Sequence, residues 1–287
     1  MGANTIALIT DSTCDIPQSY IDQYGITVLP HTIIWDSELY RDRVDLSPQT
    51  FYDRLARGDS IPTTSQASVN DYLVEFQHAI ERGVREIIVV TLSSAMSGAY
   101  QSAINAARMV NIPVHVVDSK GVTMSLGWQV MAAAREIAAG STVKAILEKV
   151  EQVRKAVSLY VSMDTLKYVA QGGRIGNAAR LIGTLLDIKP LVYIDHETGI
   201  VEAAGTTRTY KKVVELMYQK FFKQFKPGQA LRVAVMHGNA REEAEHLAER
   251  ITEEFHPVEL VINLTGPVLG INTGPRALAL AGYAEGA

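Results

Sequence analysis

The sequence predicts an α/β protein of two domains, and three observations predict it. Short apolar runs rich in β-branched residues alternate with helix-length amphipathic stretches, several of these runs end in small polar residues, and the texture changes after residue 160. A length of 287 residues suits two ordinary domains at ~150 residues each. We expect an N-terminal domain over residues 1–160, with a mainly parallel sheet flanked by helices, and a smaller α/β C-terminal domain over residues 161–287.

The first strand is predicted over Thr5–Thr10, followed by Asp11-Ser12-Thr13. Gly25 closes the next helix, as glycines do where a chain turns left-handed at a helix end. Ser47-Pro48 reads as an N-cap with proline at the first helical position, and Gly58 lies past the helix end. After Gly83 comes the strand Glu86–Leu92, ending in Ser93-Ser94; the strand Val114–Val117 ends in Asp118-Ser119, and Gly140 closes a later helix. A parallel sheet gathers such polar ends at its carboxyl edge, where α/β folds bind ligands.

Beyond residue 160 the chain carries Gln171-Gly172-Gly173-Arg174, then Lys189-Pro190, then a predicted hairpin of Leu191–Ile194 and Ile200–Ala204 across Asp195–Gly199. A helix from about Tyr210, a strand Leu231–Met236, a helix from about Arg241 and a strand Val258–Leu264 precede a finish rich in glycine and proline.

With 47% apolar and 20% charged residues the chain has material for a packed interior. A net charge of -4 supplies no broad cationic face for nucleic acid. No apolar run approaches the ~20 residues of a transmembrane segment, and the start MGANTIALIT lacks the marks of a secretory signal, so a cytoplasmic protein is expected. The single cysteine, Cys14, reads as a packing residue, and without a Cys/His cluster at ligand spacing no metal is expected.

Three hydroxyl-rich stretches read as loops: Thr63-Thr64-Ser65-Gln66, Ser93-Ser94-Ala95-Met96-Ser97-Gly98 and Thr206-Thr207-Arg208-Thr209. Ser97 and Gly98 fall at the start of a helix beginning near Ala99, where free N–H groups and the dipole favour an anion. By spacing alone, however, such hydroxyls cap helices more often than they bind ligands. No Gly-x-Ser-x-Gly elbow is present, none of the seven histidines stands in recognisable relation to these serines, and no phosphate-binding Gly-x4-Gly-Lys loop occurs. His31 and His237 read as hydrogen-bonded packing residues, and no catalytic residue is assigned.

Taken in order, Asp11-Ser12-Thr13-Cys14-Asp15-Ile16-Pro17, Thr63-Thr64-Ser65-Gln66 and the run from Leu92 to Ala103 resemble the sequence blocks of the DegV family. Gly172-Gly173-Arg174-Ile175, Ile188-Lys189-Pro190, Arg208, Thr265-Gly266-Pro267 and Gly274-Pro275 extend the likeness to nearly the whole chain. The resemblance implies a two-domain DegV-type fold and the acyl-carrying subunit of a bacterial fatty acid kinase. Such a subunit binds a long-chain fatty acid in an internal tunnel and presents its carboxyl group to a separate kinase, with no catalysis and no cofactor of its own beyond the bound ligand.

Residue by residue, the resemblance makes Thr64 and Ser97 the carboxyl-binding hydroxyls and Arg208 a cation near the kinase-facing head group. Ser93, Ser94, Gly98 and Asn272 fall in the head-group neighbourhood. Two positions depart from the family pattern: Asn272 stands where a histidine is common, and Ala67 where proline is frequent. Asparagine can donate a hydrogen bond but carries no protonic charge. Two other readings stay open: an enzyme using the hydroxyl stretches as an anion cradle for a small phosphorylated or hydroxylated substrate, and a lipid buffer or sensor without a kinase.

Overall fold

The computed structural model describes residues 5–58, 60–181 and 188–286. The chain begins with β1 (Ile6–Asp11), α1 (Gln18–Tyr24), β2 (Thr27–Leu29), β3 (Thr32–Trp35), β4 (Glu38–Arg41) and α2 (Pro48–Ala56). It continues through β5 (Thr63–Ser65), α3 (Val69–Glu81), β6 (Glu86–Thr91), α4 (Ala99–Ala107), β7 (Val114–Asp118), α5 (Met124–Ala138) and α6 (Val143–Ala156). Next come β8 (Ser158–Ser162), α7 (Lys167–Gln171), β9 (Lys189–Ile194), β10 (Val201–Thr207) and α8 (Tyr210–Phe222). The last elements are β11 (Leu231–His237), α9 (Arg241–Phe255), β12 (Glu259–Leu264), α10 (Pro267–Thr273) and β13 (Leu278–Ala284).

Strands β2-β1-β6-β7 form a parallel sheet. Its inner strand β6 buries Ile87, Ile88, Val89 and Val90 completely, because helices cover both faces and a continuous apolar run is what such a strand requires. A second, six-stranded sheet takes the order β10-β9-β8-β13-β11-β12. There β11 and β12 pair in parallel, while β10 with β9, β9 with β8, β8 with β13 and β13 with β11 are antiparallel. A small antiparallel sheet, β4-β3-β5, completes the α/β architecture.

The helix punctuation follows the sequence. Ser47 Oγ accepts from the Thr50 amide at 3.2 Å with Pro48 at the first helical position, and Gly25, Gly58, Gly83 and Gly140 all take positive φ. Three expectations need correction. Thr63–Ser65 is no loop but strand β5, paired with β3. Thr206 and Thr207, expected in a loop, are the last residues of β10, while the glycine- and proline-rich finish forms α10 and β13, the latter an inner strand of the second sheet between β8 and β11.

Helix α5 joins the two sheets. Met124–Ala134 are buried without interruption, as expected of a helix that is apolar all round, and α5 contacts β1 and β6 as well as β8 and β13. Trp128 Nε1 donates to the Ala281 carbonyl at 3.1 Å, and its ring meets Tyr283 edge-on at 6.0 Å. The residues of β13 pack as tightly: a Cβ on Gly282 would lie 2.4 Å from the Arg232 carbonyl and 3.1 Å from the Phe221 ring. Gly282→Val is therefore expected to lower stability by about 1–3 kcal/mol through overpacking, read as an earlier denaturant midpoint; an unchanged midpoint contradicts this packing.

Candidate functional site

Strands β1 and β6 end side by side, and Asp11 ties their ends together. Its Oδ1 accepts from the Thr13 amide at 3.1 Å and the Thr13 hydroxyl at 2.5 Å, and its Oδ2 from the Leu92 amide at 2.9 Å. From Leu92 the chain turns into α4, with Ser97 Oγ accepting from the Ala99 amide at 3.2 Å. Pairing of β3 with β5 sets Ile33 opposite Thr64. The residue after β5 then reaches α4, since Gln66 Nε2 lies 3.0 Å from where a Cβ on Gly98 would stand.

Between this carboxyl edge and the second sheet lies a cavity of about 110 Å³. Thr13, His31, Thr64, Gln66 and Ser97 line it from the first half of the chain, and Arg174, Asn272 and Thr273 from the second. Its walls are apolar: Leu92, Met96 and Val122 on one side, Val161, Met163, Val192, Ile194 and Val201 on the other, with Val268 and Leu269 from α10. Among the described lining residues, Gln66 and Arg174 are the exposed ones and mark the mouth. A second cavity of about 50 Å³ shares Val122, Val161, Leu269 and Thr273 with the first and reaches Met236 and Leu278 in the second sheet.

A chamber of this kind invites comparison with known proteins. The family model described as "Uncharacterised protein, DegV family" matches residues 5–285. The chain belongs to the DegV family. A DegV domain-containing protein from Clostridium acetobutylicum is 34% identical over 288 residues, covering 96% of this chain and 97% of that protein. The crystal structure of DegV from Bacillus subtilis, a fatty acid binding protein, matches with a TM-score of 0.90 at 30% identity, covering 98% of this chain and 99% of that one. A DegV family protein from Thermus thermophilus, solved for its fatty acid binding, matches at 0.87 and 30% with the same coverage.

In this DegV chain the structure brings Thr64, Ser97 and Asn272 to one cavity and places the other head-group candidates outside its lining. Ser93 is fully buried but faces the second sheet: its hydroxyl donates to the Gly199 carbonyl at 2.9 Å and accepts from the Ala95 amide at 3.2 Å. A Cβ on Gly199 would fall 2.1 Å from that hydroxyl, so a glycine at positive φ lets the β9–β10 turn dock there. Ser94 is exposed, its amide donating to Asp118 Oδ1 and its hydroxyl 3.4 Å from Lys120 Nζ. Gly98 is the side-chain-free N-cap of α4, and Arg208 is exposed between Thr207 and the N-cap residue Thr209.

Of the polar lining residues, Thr13, Gln66, Arg174, Thr273 and His31 carry no binding role in the sequence reading. Gln66 and Arg174 stand inside the motifs named above, and the sequence makes His31 a packing residue. His31 is buried, and burial holds its ring below the ordinary histidine value although Asp11 raises it. His237 does pack: its Nδ1 accepts from the Ala240 amide at 3.3 Å at the start of α9. Burial likewise pushes the Cys14 thiol up to about 12. Among the described residues no group of His, Cys, Asp or Glu could hold a metal ion, and no helix is long and apolar enough to cross a membrane.

Proposed function

We propose that this chain holds one long-chain fatty acid between its two sheets and presents the carboxyl group to a separate kinase, which makes the acyl phosphate. One observation carries the reading: an apolar cavity runs inward from the carboxyl edge of the first sheet, with Thr64 and Ser97 in its lining. The fatty acid binding of the Bacillus subtilis and Thermus thermophilus relatives supports it. In this reading residues 1–160 supply the head-group hydroxyls, and residues 161–287 supply most of the acyl wall. The tail passes Val161 into the second cavity. The protein works in the cytoplasm, and Arg208, exposed away from the cavity, serves the kinase-facing surface.

Magnitudes divide the labour between tail and head. About fifteen buried methylenes at ~0.8 kcal/mol each give a gross gain on the order of 12 kcal/mol before association costs. A hydrogen bond to an ionised carboxyl group is worth about 1.5–3 kcal/mol, so Thr64 and Ser97 orient the ligand more than they retain it.

Organic extraction of natively purified protein, followed by mass spectrometry, is expected to release a stoichiometric fatty acid; a lipid-free protein that takes up none refutes the reading. Thr64→Ala and Ser97→Ala are each expected to lose about tenfold to a hundredfold in affinity and to slow acyl-phosphate formation with a reconstituted kinase. Unchanged turnover in the double variant argues against presentation by these two hydroxyls.

A further inference from the structure

His31 is a buried titratable group that the fatty-acid reading does not use. It lies between β2 and β3, is 3% exposed, and lines the cavity. Its backbone is fixed on both sides: the amide donates to Ser12 Oγ at 3.1 Å and the carbonyl accepts from the Asp42 amide at 2.8 Å. The side chain is not so satisfied. Nε2 is buried and has no hydrogen-bond partner among the described residues. Asp11 Oδ1 stands 3.9 Å away, beyond hydrogen-bond reach, and the Asp11 oxygens already accept from Thr13 and Leu92.

A buried polar nitrogen without a partner costs about 1–3 kcal/mol, so its persistence in the lining of an apolar cavity points to a partner that the ligand brings. The polar side chains that α10 contributes, Asn272 and Thr273, are differently committed: the Thr273 hydroxyl donates to the Leu269 carbonyl at 3.1 Å, and Asn272 is held as well. Its Nδ2 donates to the Val268 carbonyl at 2.9 Å, and a Cβ on Gly172 would lie 2.2 Å from its Oδ1. Both of its polar atoms are thus engaged with or pressed against backbone.

We infer that His31 is a carboxyl-binding residue, its Nε2 donating to one oxygen of the fatty acid's head group while Thr64 and Ser97 serve the other. The inference rests on the fatty-acid reading above. The charged group that acts on this ring is Asp11 at the end of β1; Asp42 after β4 meets His31 through its backbone amide, and Arg174 lines the same cavity at its mouth. A carboxylate brought against Nε2 adds an opposite charge where water is scarce, which favours the imidazolium. Ligand binding then takes up a proton from solvent, and affinity falls as pH rises, by up to about tenfold per pH unit between the free and bound values of the ring.

The test uses the full chain, delipidated, with ¹⁵N-labelled histidine and added [1-¹³C]palmitate. Palmitate is expected to move the His31 Nε2 signal, assigned through the backbone, toward the imidazolium position. His31→Gln, which keeps a donor but cannot ionise, is expected to bind palmitate with a shallower pH dependence than the wild type, the part that follows the ring being lost. If palmitate binds and the His31 signal stays in place, the inference is overturned while the fatty-acid reading stands; if the wild type binds no palmitate at any pH, both fall. Should His31→Gln fail to fold, the wild-type ring signal decides alone.

Discussion

Val161→Trp is expected to strip the protein of its fatty acid while leaving the fold intact. Val161 belongs to β8 and is one of four residues common to the two cavities, so an indole there fills the boundary that the proposed path of the tail crosses. Losing about half of the fifteen methylenes from the apolar interior removes on the order of 6 kcal/mol, about ten-thousandfold in affinity. That exceeds the loss expected from either Thr64→Ala or Ser97→Ala, and the contrast is the point: a ligand gripped by its tail is displaced from the tail end. Mass spectrometry of the extract and calorimetric titration with palmitate measure the loss, with thermal denaturation as the control for folding. A normally folded variant that still carries stoichiometric fatty acid places the tail elsewhere.

Much of the fold was legible because its signals are local. The runs at Ile6–Asp11, Glu86–Thr91 and Val114–Asp118 are apolar enough to declare themselves as strands, and the Asp195–Gly199 turn joins β9 to β10 as its composition predicts. β13 hid because Leu-Ala-Leu-Ala-Gly-Tyr-Ala has weak strand propensity and is buried on both faces, so no alternation betrays it. β5 hid because three hydroxyl residues suit a turn as well as a strand.

The site was legible in part, for a related reason. Thr64 and Ser97 stood out by motif, and their meeting at one cavity depends on β3 pairing with β5. The seat of Ser93, against a glycine 106 residues away, is set by the docking of one sheet on the other, which no local pattern encodes. His31 is the sharpest case. Its interest lies in what its ring lacks, and that depends on Asp11 being already engaged by Thr13 and Leu92.

Beneath α10 the same logic makes stability depend on pH. Asp15 is a hub: it pairs with Arg43, accepts from the Gly266 amide at 2.9 Å and from the Thr123 hydroxyl at 2.7 Å, and so ties the turn after β1 to the segments before α5 and α10. Asp42, next to Arg43, has no such support. It is 1% exposed, and its carboxyl oxygens have no hydrogen-bond partner among the described residues, although Ser12 and the Val268 amide stand nearby. Burial pushes Asp42 up to about 7, with Arg43 opposing and Asp15 reinforcing the shift.

Because the folded value lies above the unfolded one of 3.8, the neutral carboxyl group stabilises the fold fully below pH ~4, and that contribution is lost as pH rises through about 7. A shift of this size amounts to roughly 4 kcal/mol. Asp42→Asn keeps the shape and cannot ionise, so above pH 7 it is expected to be more stable than the wild type by up to that amount, with the advantage shrinking to little near pH 4. His31, whose folded value is depressed by burial, contributes stability above the unfolded histidine range that is lost on acidification, the opposite sign. Its effect is common to both proteins and cancels in the difference between them. Urea denaturation of the two proteins from pH 4 to pH 9 measures that difference directly: curves that stay parallel across the range would mean that Asp42 is ionised in the fold and that its charge is answered by Arg43.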